Sequence, residues 1–289
     1  MYTAETHGIS RDTNLRPLSR QGRGLASLSF IRHQLVLETS DGVVKTLQQV
    51  PRTVADFYRD FMSMLQSAGI AVKIWHMPVE IPNPISFDED RVHAAYDSES
   101  VEKFWCILLS VDSVFHQFRS RFLGKSSPVH FFWGSFDLAV TRFSGRRAPD
   151  RPGADAMTRE AYSHEVSSVG FWPGSGEIKE AAFYSYTQPE PQGLKQARVR
   201  PEAAFYSPQL GEFLLMYDDV RKAKSPSRFL LDFCQTTYEW AIVLSCVFVM
   251  RRELVLQTGI VMNWNGRRGR RRENRDRCRM RASQPDQNH

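Results

Sequence analysis

One stretch of the sequence, SPVHFFWGSFDLAVTRFSGR (residues 127–146), places an imidazole and a carboxylate among large apolar side chains. The pattern predicts a strand, a type II′ turn at Gly134–Ser135 and a second strand, because this turn favours glycine at its first central position. In that pairing His130 lies opposite Ala139. His130 and Asp137 are then diagonal neighbours on one face of a sheet, about 7–8 Å apart between their backbones.

Strand alternation sorts the side chains of this hairpin onto two faces. One face is wholly apolar and has to pack on helices; it holds Val129, Phe131, Trp133, Phe136, Leu138 and Val140. The other face is mixed and holds His130, Phe132, Asp137, Ala139, Thr141 and Phe143. We therefore expect the polar pair to line the second face of the sheet and to stay out of the core.

The mixed face supports two interpretations. In the first it is the floor of a small-molecule pocket, with Thr141 as a ligand contact and with His130 and Asp137 as catalytic candidates. Asp137 would then orient the imidazole and raise its basicity, as for a general base. In the second, the two side chains hydrogen-bond to each other or to the backbone on a half-solvated face. The second arrangement is the commoner one in folded proteins, and the residues alone leave both open.

Two further groups of residues are candidate ligand contacts. His164 and Glu165 are adjacent in a predicted strand, so they point to opposite faces and cannot bind one ligand together. His164 with His130 and Asp137 would make a set of two histidines and a carboxylate, which suits a divalent metal with open positions. The spacing matches no metal motif, so the metal stays unassigned.

A second strand pattern, AAFYSYTQPEP, places Tyr184 and Tyr186 on one face of a strand. Such tyrosines either contact a ligand through the ring and hydroxyl or are half-buried residues of the sheet. The sequence has no phosphate-binding loop, no dinucleotide-binding glycine motif and no nucleophile elbow. It therefore identifies no cofactor.

The elements around these residues predict the fold class. A hairpin is expected over residues 29–50, with a turn at Asp41–Gly42. Helices are expected from Thr53 to Gly69, over residues 98–122 and from Ser225–Pro226 onward. Three more strands are expected in YSHEVSSVGFW, EAAFYSY and GEFLLMYDDV. Because strands and helices do not alternate strictly, we expect an α+β fold: a mostly antiparallel sheet with about three packed helices, in a single main domain.

Charge and composition divide the chain into three parts. Residues 1–28 are polar and aperiodic and are interpreted as a mobile leader, residues 29–250 as the globular domain, and residues 251–289 as an Arg-rich, disordered tail. The net charge of +6 comes from this tail, because nine Arg and two acids lie within residues 264–281. Nonspecific nucleic-acid binding is the alternative role of the tail.

The cysteines and the apolar runs indicate the compartment. Four cysteines lie far apart, which favours reduced thiols in a cytoplasmic protein. The most apolar run, WAIVLSCVFVM, has 11 residues. A membrane span needs about 20, so this run is interpreted as a buried helix end or a strand, and we expect no membrane span.

Five blocks of the sequence are long and unusual: VPRTVADFY, IWHMPVEIPNPISFDED, SPVHFFWGSFDLAVTRFSGR, REAYSHEVSSVGFWPG and EAAFYSYTQPEP. In order and spelling they resemble the bacterial DUF5996 family, a domain of unknown function. The resemblance covers roughly residues 30–239, and both ends of the chain depart from it. It implies a globular bacterial protein and assigns no catalytic residue, cofactor or partner.

Three functions follow from these observations. We favour a small-molecule pocket on the second sheet face, with or without catalysis through His130. The first alternative is a structural or partner-binding module whose mixed face is covered by another chain. The second is nonspecific nucleic-acid binding by the tail. The sequence determines neither the ligand nor the oligomeric state.

Overall fold

A computed structural model describes residues 13–15, 24–78, 81, 83–175 and 178–258, and side chains within residues 24–245. Its strands are β1 (Thr13–Leu15), β2 (Gly24–Ser29), β3 (Gln34–Thr39), β4 (Val44–Gln48), β5 (His130–Phe132), β6 (Asp137–Arg147), β7 (His164–Trp172), β8 (Ala182–Gln188), β9 (Phe205–Ser207) and β10 (Glu212–Met216). Its α-helices are α1 (Val54–Ser67), α2 (Ser98–Ser120), α3 (Ala156–Ala161), α4 (Tyr217–Lys222) and α5 (Pro226–Thr258).

The strands form two antiparallel sheets, where the sequence suggested one. The smaller sheet has the order β1-β2-β3-β4, and the larger has the order β5-β6-β7-β8-β10-β9. The smaller sheet packs its apolar side on α1 and forms a core of its own, made of Ala26, Leu35, Leu37, Met64, Leu65 and Ile70. The prediction of an α+β fold in a single domain is confirmed.

The hairpin predicted over residues 29–50 differs at its first strand. The turn at Asp41–Gly42 is present, with Gly42 at φ +88°. However, residues 30–33 form a second turn, so the strand begins at Gln34 and β2 precedes it. The predicted division of the chain at residue 28 therefore falls within β2.

The three long helices begin where their capping residues predict. The Thr53 hydroxyl accepts a hydrogen bond from the N–H of Asp56 at 3.1 Å, and Asp97 caps α2 in the same way through Glu99. Helix α5 begins at Pro226 and includes the apolar run of residues 240–250. Among the described residues, no helix combines the length and the apolarity that crossing a membrane requires.

Helices α2 and α5 cover one side of the larger sheet, which we call the first face. Its strand residues are buried and apolar, and include Phe131, Leu138, Val140, Val169, Phe171, Phe183, Phe213 and Leu215. Burial of this continuous apolar surface is the main stabilising contribution to the domain. The face therefore fixes the strands whose opposite side chains form the candidate site.

One charged residue, Arg142, lies within this apolar layer and is 2% exposed. Its guanidinium carbon is 3.4 Å from the centroid of the Phe118 ring and 4.2 Å from that of Tyr238. The guanidinium also donates a hydrogen bond to the carbonyl of Phe118. Burial lowers the pKa of Arg142 to about 10. Two aromatic rings thus compensate for the lost hydration of this cation.

The β5–β6 hairpin has the predicted register, with His130 opposite Ala139, but its turn is different. The connection has four residues, 133–136, and the N–H of Phe136 donates to the carbonyl of Phe132 at 2.7 Å. The positive φ of +59° belongs to Phe136 and not to Gly134, so the predicted type II′ turn is wrong. Phe136 is held by stacking on Phe104, with ring centroids 5.6 Å apart. This contact accounts for a bulky residue in a disfavoured conformation.

Candidate functional site

The side of the larger sheet that faces away from α2 and α5 is called the second face. Two rows of paired residues cross it: His130–Ala139–Gly170–Tyr184, and Thr141–Ser168–Tyr186. Glu212 precedes Phe213, whose partner is Ser185, so alternation places Glu212 on the same face as Tyr186. The predicted division of the hairpin into an apolar and a mixed face is confirmed for these strand residues.

Tyr184 and Asp137 are joined across an intervening strand. The Tyr184 ring lies directly over Gly170, where a side-chain methyl carbon would come within 2.2 Å of the ring. The Tyr184 ring can cross the sheet at this point only because glycine has no side chain. The Tyr184 hydroxyl thereby reaches Asp137 and donates a hydrogen bond to its carboxylate. Burial, and then the charge of Asp137, raise the pKa of the Tyr184 phenol well above its usual range.

His130 has no hydrogen bond to Asp137. One oxygen of Asp137 accepts from Tyr184, and the other accepts from the Ser135 hydroxyl at 2.5 Å. The Nδ1 atom of His130 is buried without a partner, and its ring packs on Phe132 with centroids 4.1 Å apart. Burial lowers the pKa of His130, and the smaller effect of Asp137 acts in the opposite direction. The expected rise in basicity is therefore not found, and the imidazole is neutral at pH 7.

Tyr186 continues the polar row next to Tyr184. The two rings are nearly parallel, at 18°, with centroids 6.1 Å apart. The Tyr162 hydroxyl donates to that of Tyr186 at 3.3 Å, and burial raises the pKa of Tyr186. Thr141 hydrogen-bonds to Ser168 at 2.9 Å. Hydroxyl groups thus satisfy one another along this part of the second face.

An open cleft of about 380 Å³ lies beside Tyr186, at the end of the second face away from His130. We call it the Tyr186–Glu212 cleft; its lining residues are Arg151, Tyr162, Tyr186, Thr187, Gln188, Glu190, Leu210, Gly211 and Glu212. Three of them carry charges or ionisable carboxyl groups, and two are aromatic. The volume lies within the range of small-ligand sites, and the largely polar lining suits a polar molecule.

Glu212 is the carboxyl group of the cleft that is not paired with another protein group in the described part of the chain. It makes no hydrogen bond or ion pair with any residue that the structure describes, whereas Glu190 accepts a hydrogen bond from Tyr206. Burial, and then the charge of Asp137, raise the pKa of Glu212 to about 7. Near neutral pH this group is therefore divided between its acid and carboxylate forms, and a ligand that contacts it shifts that division.

The residues singled out in the sequence are divided by the fold. His130, Asp137, Thr141, Tyr184 and Tyr186 share the second face, but only Tyr186 lines the cleft. His164 instead contacts the hydroxyl of Ser163 at 3.1 Å, and Glu165 forms an ion pair with Arg146 at 2.7 Å. Within the described part of the chain, no three His, Cys, Asp or Glu residues are grouped so as to hold a metal ion. His164 therefore does not join His130 and Asp137.

Sequence reasoning missed most of the cleft. Glu212 had a signal, since it begins the strand EFLLM as a polar residue before an apolar run. Arg151 and Tyr162 lie on the Pro/Gly-rich loop and just after α3, and no local pattern links them to Tyr186. The alternative function, nonspecific nucleic-acid binding by the Arg-rich tail, concerns residues that lie outside the described part of the chain.

The fold and the second face define the class to which the chain belongs: an α+β protein with two antiparallel sheets and a polar, tyrosine-rich sheet face. The family follows from comparison with known proteins. The chain belongs to DUF5996, a family of unknown function, whose family model matches residues 6–246. A search of curated proteins and a search of solved structures each found no match.

Proposed function

We propose that this protein binds a small polar molecule in the Tyr186–Glu212 cleft. The observation that carries the proposal is the Glu212 carboxyl group, which borders the cleft without a protein partner while burial disfavours its charge. Glu212 is half-buried and lines the cleft, so a ligand there can reach its oxygens, and an ionisable group with a shifted pKa in a cleft is a candidate binding group.

The surroundings of Glu212 support binding more than they support a purely structural role. Tyr162 and Tyr186 provide two aromatic walls, and their hydroxyl groups are already paired with each other. The rings are therefore held in place before a ligand arrives. Preorganised walls lower the entropic cost of binding.

A catalytic role for His130 with Asp137 stays a prediction. The neutral imidazole with a free Nδ1 can accept a proton, yet it lies on the far side of Tyr184 from the cleft. We expect His130→Gln to leave ligand binding in the cleft unchanged. It should lower turnover only for a substrate whose reacting group extends from the cleft toward β5.

The binding proposal is tested by thermal denaturation of the full chain with a set of small amines, amino acids, carboxylic acids and sugars. Leu210 is 44% exposed and lines the cleft, so Leu210→Trp fills the cleft without removing a buried group. Leu123 is fully exposed elsewhere, and Leu123→Trp is the matched control. We expect at least one compound to raise the Tm of the wild type and of the control, but not of the Leu210 variant.

Two results would contradict the proposal. The first is that no compound in the set changes the Tm of the wild type. The second is that every stabilising compound acts equally on the Leu210 and Leu123 variants, which would locate binding outside the cleft. In either case, the partner-binding interpretation would gain support if the mass of the protein changed with its concentration.

A further inference from the structure

The charged groups of the Tyr186–Glu212 cleft indicate the kind of molecule it takes. We propose that the cleft is selective for a small organic cation with a guanidinium or ammonium group, and that Arg151 is an intramolecular competitor for the cation position. This inference rests on the proposed function and names the ligand class of the same site.

Arg151 already places a cation on the aromatic wall of the cleft. Its guanidinium carbon is 4.6 Å from the centroid of the Tyr162 ring. The face of a tyrosine ring carries negative electrostatic potential and attracts cations at this distance. The Tyr162 hydroxyl is fixed by Tyr186, so the ring keeps this orientation toward the cleft. The wall therefore accommodates a guanidinium group.

The Arg151 side chain is bound weakly enough for a ligand to displace it. Its guanidinium makes no hydrogen bond or ion pair with the residues that the structure describes, so the ring contact is its main interaction. Arg151 is half-buried, and a single cation–π contact of this kind is a weak interaction. Pro152 and Gly153 follow it, and Gly153 has φ +84°.

The ends of this loop are fixed while Arg151 lies between them. On one side, the N–H of Ala148 donates to the carbonyl of Ser163 at 3.1 Å. On the other, Asp155 caps α3 by accepting from the N–H of Thr158 at 3.0 Å. Arg151 can therefore leave the Tyr162 ring by a local movement that does not disturb the sheet.

Once Arg151 has moved away, the charged residues that line the cleft are Glu190 and Glu212, both acids. A cation would then meet an aromatic face and two carboxyl groups, whereas an anion would meet only like charge. Charge selection of this kind favours one ligand class over its opposite by repulsion as well as attraction.

Proton binding at Glu212 is coupled to the same event. Asp137 on β6, Tyr184 on β8 and Tyr206 on β9 interact electrostatically with this carboxyl group. Tyr186, Glu190 and the cation Arg151 line the cleft with it. A bound cation favours the ionised carboxylate. The affinity for the cation is therefore expected to rise as the pH increases through about 7, where Glu212 loses its proton.

The experiment is isothermal titration calorimetry of the full chain with agmatine, a diamine-like cation with a guanidinium group, and with glutarate as the anion of similar length. We expect agmatine to bind and glutarate not to bind. Glu212→Gln should weaken agmatine binding about tenfold, the usual effect of losing a charged hydrogen bond. Arg151→Ala should strengthen it a few-fold by removing the competitor. Glu202→Gln, a change at an exposed site elsewhere, should have no effect.

A second pair of variants keeps the test independent of Glu212. Tyr162→Phe retains the ring and loses only the hydroxyl, whereas Tyr162→Leu removes the aromatic face. We expect the phenylalanine variant to bind agmatine and the leucine variant to bind it several-fold more weakly.

The outcomes separate this inference from the proposed function. Binding of glutarate that is lost in Arg151→Ala would overturn the cation inference and leave the cleft as a small-molecule site. Agmatine binding that Glu212→Gln and Tyr162→Leu leave unchanged would overturn it as well. Failure of agmatine to bind either the wild type or Arg151→Ala also overturns it, and the wider compound set then decides whether the cleft binds anything.

Discussion

The same strands form both faces of the larger sheet, but the side chains of the two faces make different kinds of contact. On the first face, Phe171 and Phe183 are 1% exposed and pack against helices. On the second face, Tyr184 and Tyr186 lie over the sheet and find partners among hydroxyl and carboxyl groups. One residue step along a strand separates the two environments, because successive side chains point in opposite directions.

The comparison is sharpest between Arg142 on the first face and Glu212 on the second. Arg142 is buried on the first face, where Phe118 and Tyr238 enclose its guanidinium. Glu212 on the second face has no such enclosure, and its carboxyl group borders open space. A buried charge with compensating contacts serves the fold, whereas a desolvated group without them is available to a ligand.

The largest expected effect comes from removing a ring from the first face. We expect Phe171→Ala to lower the free energy of unfolding by about 3–5 kcal/mol, because it leaves a cavity beside the rings of Phe104, Phe183 and Tyr217. Urea denaturation followed by circular dichroism measures this loss. Phe205→Ala is the matched change on the second face, where the ring is 46% exposed, and should cost about 0.5 kcal/mol or less. Equal losses in the two variants would remove the distinction between the faces.

A smaller effect is expected at Gly170, where the arrangement of the second face depends on a residue without a side chain. Gly170 has ordinary strand backbone, so Gly170→Ala acts only through contact with the Tyr184 ring. We expect a loss of about 1–3 kcal/mol, since the ring must leave its position and give up Asp137. In a Tyr184→Ala background the same change should cost little. A similar cost in both backgrounds would show that the ring does not lie over Gly170.

The smallest expected effect is a dependence on pH at Glu212. Burial raises the pKa of Glu212 from its ordinary 4.5 to about 7 in the folded protein. The folded state therefore binds the proton more tightly, and the stabilisation from this proton is present below about pH 4.5 and lost as the pH rises through about 7. Relative to Glu212→Gln, the wild type should lose about 1–2 kcal/mol between about pH 5 and about pH 8, allowing for solvent screening.

Urea unfolding of both proteins at the two pH values measures this change, and Glu202→Gln controls for the loss of an exposed carboxylate. If the difference between the wild type and Glu212→Gln stays constant across the range, the carboxyl group is not desolvated and the contrast with Arg142 is weaker.

Much of the fold was predictable from local pattern. The Thr53 cap and the Ser225–Pro226 pair predicted the starts of α1 and α5, and a turn centred on residues 134–135 predicted the register of His130 with Ala139. Local pattern did not predict the turn before Asp137, because stacking of Phe136 on Phe104, a residue of another element, accompanies its conformation.

The candidate site was predictable only in part, for the same reason. Tyr184 and Asp137 are 47 positions apart, and their hydrogen bond depends on Gly170 in a third strand. The sequence placed Asp137 on a mixed face and Tyr184 beside Tyr186 on a face of another strand, but it paired Asp137 with His130, its nearer neighbour. No periodicity could bring Arg151 and Tyr162 beside Glu212, since two of these residues lie outside strands.

The sequence by itself determined which side chains share a face of each strand, because alternation and capping act over a few residues. Only the tertiary structure decided which of those side chains meet, which carboxyl group lacks a partner and where the cleft opens. Those outcomes depend on strand order, on packing between distant segments and on the loss of hydration in the folded chain, and none of these is encoded within a single local stretch.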